Sequence, residues 1–216
     1  IYRNAHKLPA AHTLTLRRGA AERPVPQAYW DVRFTHDNPI SQADAEAELR
    51  DRVRESVRLR MVADVPLGAF LSGGVDSSAV VATMAGLSST PVHTCAIGFD
   101  DPRFNESAFA QMVADRYHTD HRLEVVKGDD FDLIDTLAWL YDEPFADSSA
   151  LPTYRVCQMA RKHVTVALSG DGGDESLGGY RRYRMHLGEE RVRNLLPHGI
   201  RRPLFAAIGQ VYPKAD

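Results

Sequence analysis

The chain predicts an α/β fold: one open parallel sheet of strand order 3-2-1-4 and onward, with helices on both faces. Three observations carry this. Strand-like stretches recur at 65–71, 92–97, 121–126 and 164–168, each of a length that suits a strand. Helix-period stretches separate them, and strands alternating with helices signal parallel pairing. Two glycine-rich turns, Ser72–Ser78 and Ser169–Glu175, follow the first and the last of these runs. In a doubly wound sheet the strand order reverses beside the first strand, so those turns become neighbours at the crevice where ligands bind.

The elements follow in order. Residues 1–34 read as the tail of a preceding domain plus a linker: Thr13–Arg17 alternates polar and apolar as a half-buried strand does, then Pro24 and Pro26 interrupt. Residues 35–216 read as the α/β domain. Ser41 with Asp44 three residues on marks a helix start, and Leu49, Val53, Val57 and Met61 give that helix one apolar face. Asp76–Leu87 reads as the helix after the first turn. Asn105 caps the next, with Phe109, Met112, Val113 and the stem of Arg116 expected inward. Asp129 or Asp130 caps a helix carrying Phe131, Ile134, Leu137, Ala138 and Tyr141, and a further helix over about 151–162 leads into the fourth strand. The chain opens at Ile1 and stops at Asp216, which reads as an excised piece of something longer.

Composition excludes several classes. The 216 residues are 44% hydrophobic and 25% charged, as in ordinary globular domains. A formal net charge of −3 leaves no basic footprint, so nucleic acid is not an expected partner. No apolar run approaches the roughly 20 residues of a membrane span, and no signal peptide opens the chain. Cys95 and Cys157 both sit in apolar stretches and are expected as buried free thiols, in keeping with a cytoplasmic location.

The two turns carry the chemistry. Gly73 and Gly74 allow close backbone approach, Ser72, Ser77 and Ser78 add hydroxyls, and the next helix points its positive end at the same concavity. That suits a pyrophosphate, although a plain strand-to-helix turn is the simpler alternative. A carboxylate there, Asp76, repels phosphate unless a cation such as Mg2+ lies between them; its other role is to cap the helix. The second turn supplies Asp171, Asp174 and Glu175. No G-x-x-x-x-G-K-[ST] or G-x-G-x-x-G motif is present.

Ser72-Gly73-Gly74-Val75-Asp76-Ser77 resembles the PP-loop of ATP pyrophosphatases. Ser169–Glu175 with Gly178-Gly179-Tyr180-Arg181-Arg182-Tyr183 is similar to the synthetase domain of glutamine-hydrolysing asparagine synthetases. Ile97-Gly98-Phe99-Asp100, Asn105-Glu106-Ser107 and Glu143–Ser149 fit the same pattern. Lys7-Leu8-Pro9 with His12, and Tyr29-Trp30-Asp31, resemble the exit from that family's glutaminase domain, which the linker would then follow.

The resemblance implies an adenine nucleotide alpha hydrolase-like fold and an ATP site. Adenine would lie near Leu71 and Ile97, Gly98 and Phe99. The phosphates would meet Ser72, Gly73, Gly74, Asp76, Ser77 and Ser78. Asp76 and Asp174 would hold Mg2+, and Ser169, Gly170 and Asp171 would face an acyl-adenylate, with Asp171 and Asp174 as catalytic residues. The implied substrates are aspartate, or another small carboxylate, and ammonia from a glutaminase domain; a homodimer is compatible.

The chain departs from the family in three ways. Its first residue is not the family's nucleophilic cysteine, the later lysine loop is absent so that Lys214 does not replace it, and Ser176-Leu177 stands for the usual Leu-Phe. The segment alone is accordingly expected to have little or no turnover. An adenylating enzyme for another carboxylate, as in β-lactam or surface-polysaccharide pathways, and a nucleotide-binding module without chemistry are the alternatives. His118 and His121 read as a surface pair. Arg181, Arg182 and Arg184 read either as anion contacts or as a solvated face. Asp142, Glu143 and Asp147 read as substrate contacts or loop caps, and the resemblance favours a substrate role for Asp147, Ser148 and Ser149.

Overall fold

A computed structural model describes residues 3–19, 23–33, 39–103, 105–126, 133–195 and 197–211. Ile1, Phe34, Lys214, the expected cap at Asp129 or Asp130, and Phe131 lie outside the described residues. The chain forms two compact units, Ile1–Ala47 and Glu48–Asp216.

In the first unit, β1 (His12–Thr13) pairs antiparallel with β2 (Gln27–Ala28). The expected strand over Thr13–Arg17 is thus confined to its start, and Leu14 and Leu16 are exposed; a two-residue ladder offers no sheet face to bury alternate side chains. The helix start is as read. The Ser41 hydroxyl donates to Asp44 Oδ2 at 2.6 Å and accepts from the Asp44 amide at 3.2 Å, opening α1 (Gln42–Arg60).

The second unit holds β3 (Leu67–Phe70), α2 (Val75–Leu87), β4 (His93–Phe99), α3 (Ser107–Tyr117) and β5 (Asp120–Val126). Then come α4 (Ile134–Tyr141), α5 (Ala150–Ala160), β6 (Val166–Leu168), α6 (Gly173–Leu177), α7 (Arg181–Asn194) and α8 (His198–Val211). The sheet order is β5-β4-β3-β6, every pair parallel, which is the expected 3-2-1-4. β6 starts two residues later than expected because the Pro66 carbonyl takes the amides of both Thr165 and Val166. β4 runs two residues further, through Gly98 and Phe99.

Strand alternation sends side chains to two cores. On one face Val57 of α1, Val81 and Met84 of α2, and Ala110 and Ala114 of α3 pack with Ala69, Leu71 and Ala96. On the other, Met159 and Ala160 of α5 pack with Cys95, Val164, Phe70 and Ile97. Helices therefore cover both faces.

Three inward assignments change. In α3 the buried residues are Ala110 and Ala114, while Phe109 and Met112 are exposed. The start of α3 packs closely on the Gly73 turn, where a Cβ on Gly73 would meet the Ala110 nitrogen and the Phe109 Cβ at 2.6 Å, and its alanine stripe is the one that joins the core. No residue of α4 is buried, and Ile134 is exposed; α4 follows β5, the edge strand, where the described sheet ends. Cys157 is exposed, unlike Cys95, because the inner stripe of α5 is Val156, Met159 and Ala160 and position 157 falls off it.

His121 is half-buried rather than a free surface residue. It stands in register with the fully buried Thr94, whose hydroxyl lies 2.9 Å from His121 Nδ1 and 2.8 Å from the Thr119 hydroxyl. His118, by contrast, ends α3 in the left-handed conformation at φ 51°.

Candidate active site

The first turn follows β3 through the buried Leu71 and enters α2 through Gly73, at φ +85°, and Gly74, the N-cap. That φ is in the region that favours glycine. No side chain caps α2, and the amides of a helix's first turn have no partner within the helix. The serines hold the turn together. The Ser72 and Ser77 hydroxyls are 3.0 Å apart, the Ser72 amide donates to Ser77 Oγ at 3.3 Å, and the Gly74 amide donates to Ser72 Oγ at 3.2 Å. The Ser78 hydroxyl is buried with no hydrogen-bond partner among the described residues, an uncommon and costly state for a polar atom.

The acidic turn follows β6, the strand beside β3, and it meets the first turn directly. A Cβ on Gly170 would sit 2.6 Å from the Ser77 nitrogen, and one on Gly173 would sit 2.6 Å from Asp76 Oδ2. The Asp76 carboxylate therefore rests on the backbone of α6, one residue from Asp174. The Asp174 carboxylate is turned onto Gly179. Asp171 is exposed and accepts from the Ser169 hydroxyl at 3.0 Å. Among the described residues no group of three or more His, Cys, Asp or Glu side chains converges as a closed metal cage. A cation here would share its shell with phosphate oxygens, as Mg2+ commonly does.

Two clefts flank this junction. The first, about 240 Å³, is lined by Leu71, Ser72, Ile97 and Phe99, where adenine was expected. Gly98 does not line it; it faces the Asn105 side of the strand. Phe70, Glu106 and the α5 residues Pro152, Thr153 and Val156 complete the lining. Sequence reasoning missed these, since the periodicity of α5 marks an inner stripe without saying which strands it crosses. The second cleft, about 500 Å³, joins Asp76 and 168–173 to α1 through Leu49, Arg52, Ser56 and Arg60. No sequence signal tied α1 to the site.

The outlying candidates have structural work. Asp147 Oδ1 accepts from the Ser149 amide at 2.8 Å, and that bond together with one from the Ser149 hydroxyl holds its carboxyl below the usual range; the bond closes the turn that precedes α5, whose N-cap is Ser149. Tyr180 donates to Glu175 Oε1 at 2.6 Å, lowering the Glu175 pKa and raising the tyrosine's. Arg182 lies 4.1 Å over the Tyr180 ring, and Arg181 is exposed.

A parallel sheet whose switch point bears a serine–glycine turn against an acidic turn defines a domain of the PP-loop class. The chain belongs to the asparagine synthase family, whose model matches residues 48–213. It is 42% identical over 83% of its length to the Methanocaldococcus jannaschii protein named "Putative asparagine synthetase (glutamine-hydrolyzing) 2", covering 35% of that protein. It is 37% identical over 73% of its length to asparagine synthetase (glutamine-hydrolyzing) 1 of Bacillus subtilis, covering 25% of it. It is 28% identical over 86% of its length to amidase chyE of Penicillium rubens, covering 30% of it. The chain thus spans about a third or less of the length of these relatives. No described helix is long and apolar enough to cross a membrane.

Proposed function

We propose that this chain is the nucleotide-binding part of an ATP-dependent amidotransferase that activates a carboxylate, with the aspartate side chain as the leading acceptor. The observation that carries the proposal is the seating of the Asp76 carboxylate on Gly173, which unites the two turns at one crevice. In the reaction, a carboxylate oxygen attacks the α-phosphorus of ATP and the bond to pyrophosphate breaks. Ammonia released from glutamine by a glutaminase domain then displaces AMP to leave the amide.

The residues present suit this chemistry. The first-turn amides of α2 and the hydroxyls of Ser72, Ser77 and Ser78 bind pyrophosphate, and the unpartnered Ser78 hydroxyl gains an acceptor there. The cleft at Leu71, Ile97 and Phe99 takes the base. Asp76 and Asp174 are the groups to hold Mg2+, which would supply charge neutralisation on the leaving pyrophosphate. Ser169, Gly170 and Asp171 border the acceptor side, and most of the remaining work is positioning.

The test is carboxylate-dependent exchange of labelled pyrophosphate into ATP, screened with aspartate and other acids on the chain joined to the remaining domains of a full-length synthetase. Exchange with aspartate supports the leading acceptor. Exchange only with another acid favours the second reading, adenylation of a different carboxylate. Absence of exchange with every acid, alongside absence of Mg2+-ATP binding, overturns both.

A further inference from the structure

The larger cleft carries an inference about the acceptor. Its floor is apolar, from Val53, Val57 and Leu168, and its rim carries both signs of charge, from Asp76, Asp171, Arg52 and Arg60. The two arginines differ in what they already hold. Arg52 is neutralised by Glu48, with Nε and Nη2 at 2.7 and 2.5 Å from one carboxylate oxygen. Arg60, the last residue of α1, has only neutral partners. Its Nη1 donates to the Ser56 hydroxyl at 2.8 Å and to the Ser56 carbonyl at 3.0 Å, and among the described residues no carboxylate pairs with it. Ser56 lines the same cleft, so this bond holds the guanidinium at the rim with its remaining N–H groups open.

We infer that this cleft receives the acid to be activated, and that Arg60 is the residue that binds its second, non-reacting anionic group. An acid with two carboxylates can present one to the turn beside Asp76 and pair the other with Arg60. A planar guanidinium favours carboxylates through two parallel hydrogen bonds. Selection for a dicarboxylic amino acid over a monocarboxylic one thereby falls to α1. The inference rests on the adenylation proposed above and assigns its acceptor specificity.

The test uses calorimetry on the 216-residue chain, first with Mg2+-ATP and then, with nucleotide bound, with L-aspartate, L-glutamate and succinate as probes. Arg60→Gln is expected to weaken at least one of these acids by about tenfold or more while leaving the affinity for Mg2+-ATP within about twofold. Arg60→Lys should restore part of the loss, because it returns the charge without the fork. Arg58→Gln serves as the control for folding and bulk charge, since Arg58 pairs with Glu55 and does not line the cleft. Equal affinity of wild type and Arg60→Gln for every acid that binds overturns the inference. So does a failure of all three acids to bind a chain that binds Mg2+-ATP. Failure of Mg2+-ATP to bind is a separate result that removes the underlying adenylation proposal.

Discussion

The carboxylate of Asp76 lies on the backbone of Gly173, so close that a single methyl at position 173 would come within 2.6 Å of Oδ2. The same junction has a second close approach, where a Cβ on Gly170 would meet the Ser77 nitrogen and the Asp76 carbonyl carbon at 2.6 and 2.8 Å. The two glycines differ in what would have to give way, and that difference can be measured.

At Gly173 the obstructing atoms belong to the movable end of a side chain. Gly173→Ala should displace the Asp76 carboxylate and leave the sheet intact. The expected result is a loss of about tenfold or more in Mg2+-ATP affinity with little change in urea midpoint. Asp76→Ala should abolish the metal-dependent part of nucleotide binding. Unchanged affinity in calorimetry would remove Asp76 from the site.

At Gly170 the obstructing atoms are backbone. Gly170→Ala must push the two turns apart, so stability falls as well as affinity, by about 1–3 kcal/mol for an overpacked contact. A urea midpoint equal to that of the wild type would contradict this.

Gly73 joins a positive φ of 85° to backbone contact with Ala110. Gly73→Ala meets conformational strain and overpacking together, each about 1–3 kcal/mol. A loss of about 2 kcal/mol or more is expected in equilibrium unfolding, with α3 the first element to gain hydrogen exchange.

Burial pushes the His121 imidazole below its ordinary value, with Asp115 opposing the shift and Arg122 adding to it. As pH falls, the unfolded chain takes up this proton before the folded one does. Stability is therefore fully present above the unfolded value of about 6.5 and is lost as pH drops below it toward the folded value. The urea midpoint should fall between pH 7.5 and pH 5.5, and His121→Leu should flatten that fall. An equally steep fall in the variant would assign the effect to other groups.

Thr94 holds both His121 and the Thr119 hydroxyl from a fully buried position. Thr94→Val keeps its shape and strands both partners, and should cost about 1–3 kcal/mol, read as a lower thermal midpoint.

Much of this architecture was legible in residue order. Apolar runs of strand length, spaced by helical stretches, imply parallel pairing because a crossover helix is the economical way to bring the next strand alongside. The capping pair Ser41 and Asp44 formed as read, since it depends only on neighbours within one turn. The serine–glycine turn was likewise local: its glycines and hydroxyls act on backbone a few residues away.

Burial at a distance was not legible. Periodicity put Phe109 and Met112 inward on α3, but the stripe that packs into the core is Ala110 and Ala114. The apolar stretch around Cys157 put it in the core, while the face that α5 turns to the sheet excludes it. The role of α1 at the second cleft has no local signature at all, since Arg60 resembles any other arginine on an amphipathic helix. Sequence by itself determined which chemical groups this protein owns and the short-range turns that hold them, because such bonds close within a few residues. Only the tertiary structure decided that Asp76 meets Gly173 and that Arg60 borders the same crevice as Asp171, because those encounters depend on strand order, crossover geometry and the volume left by residues far along the chain.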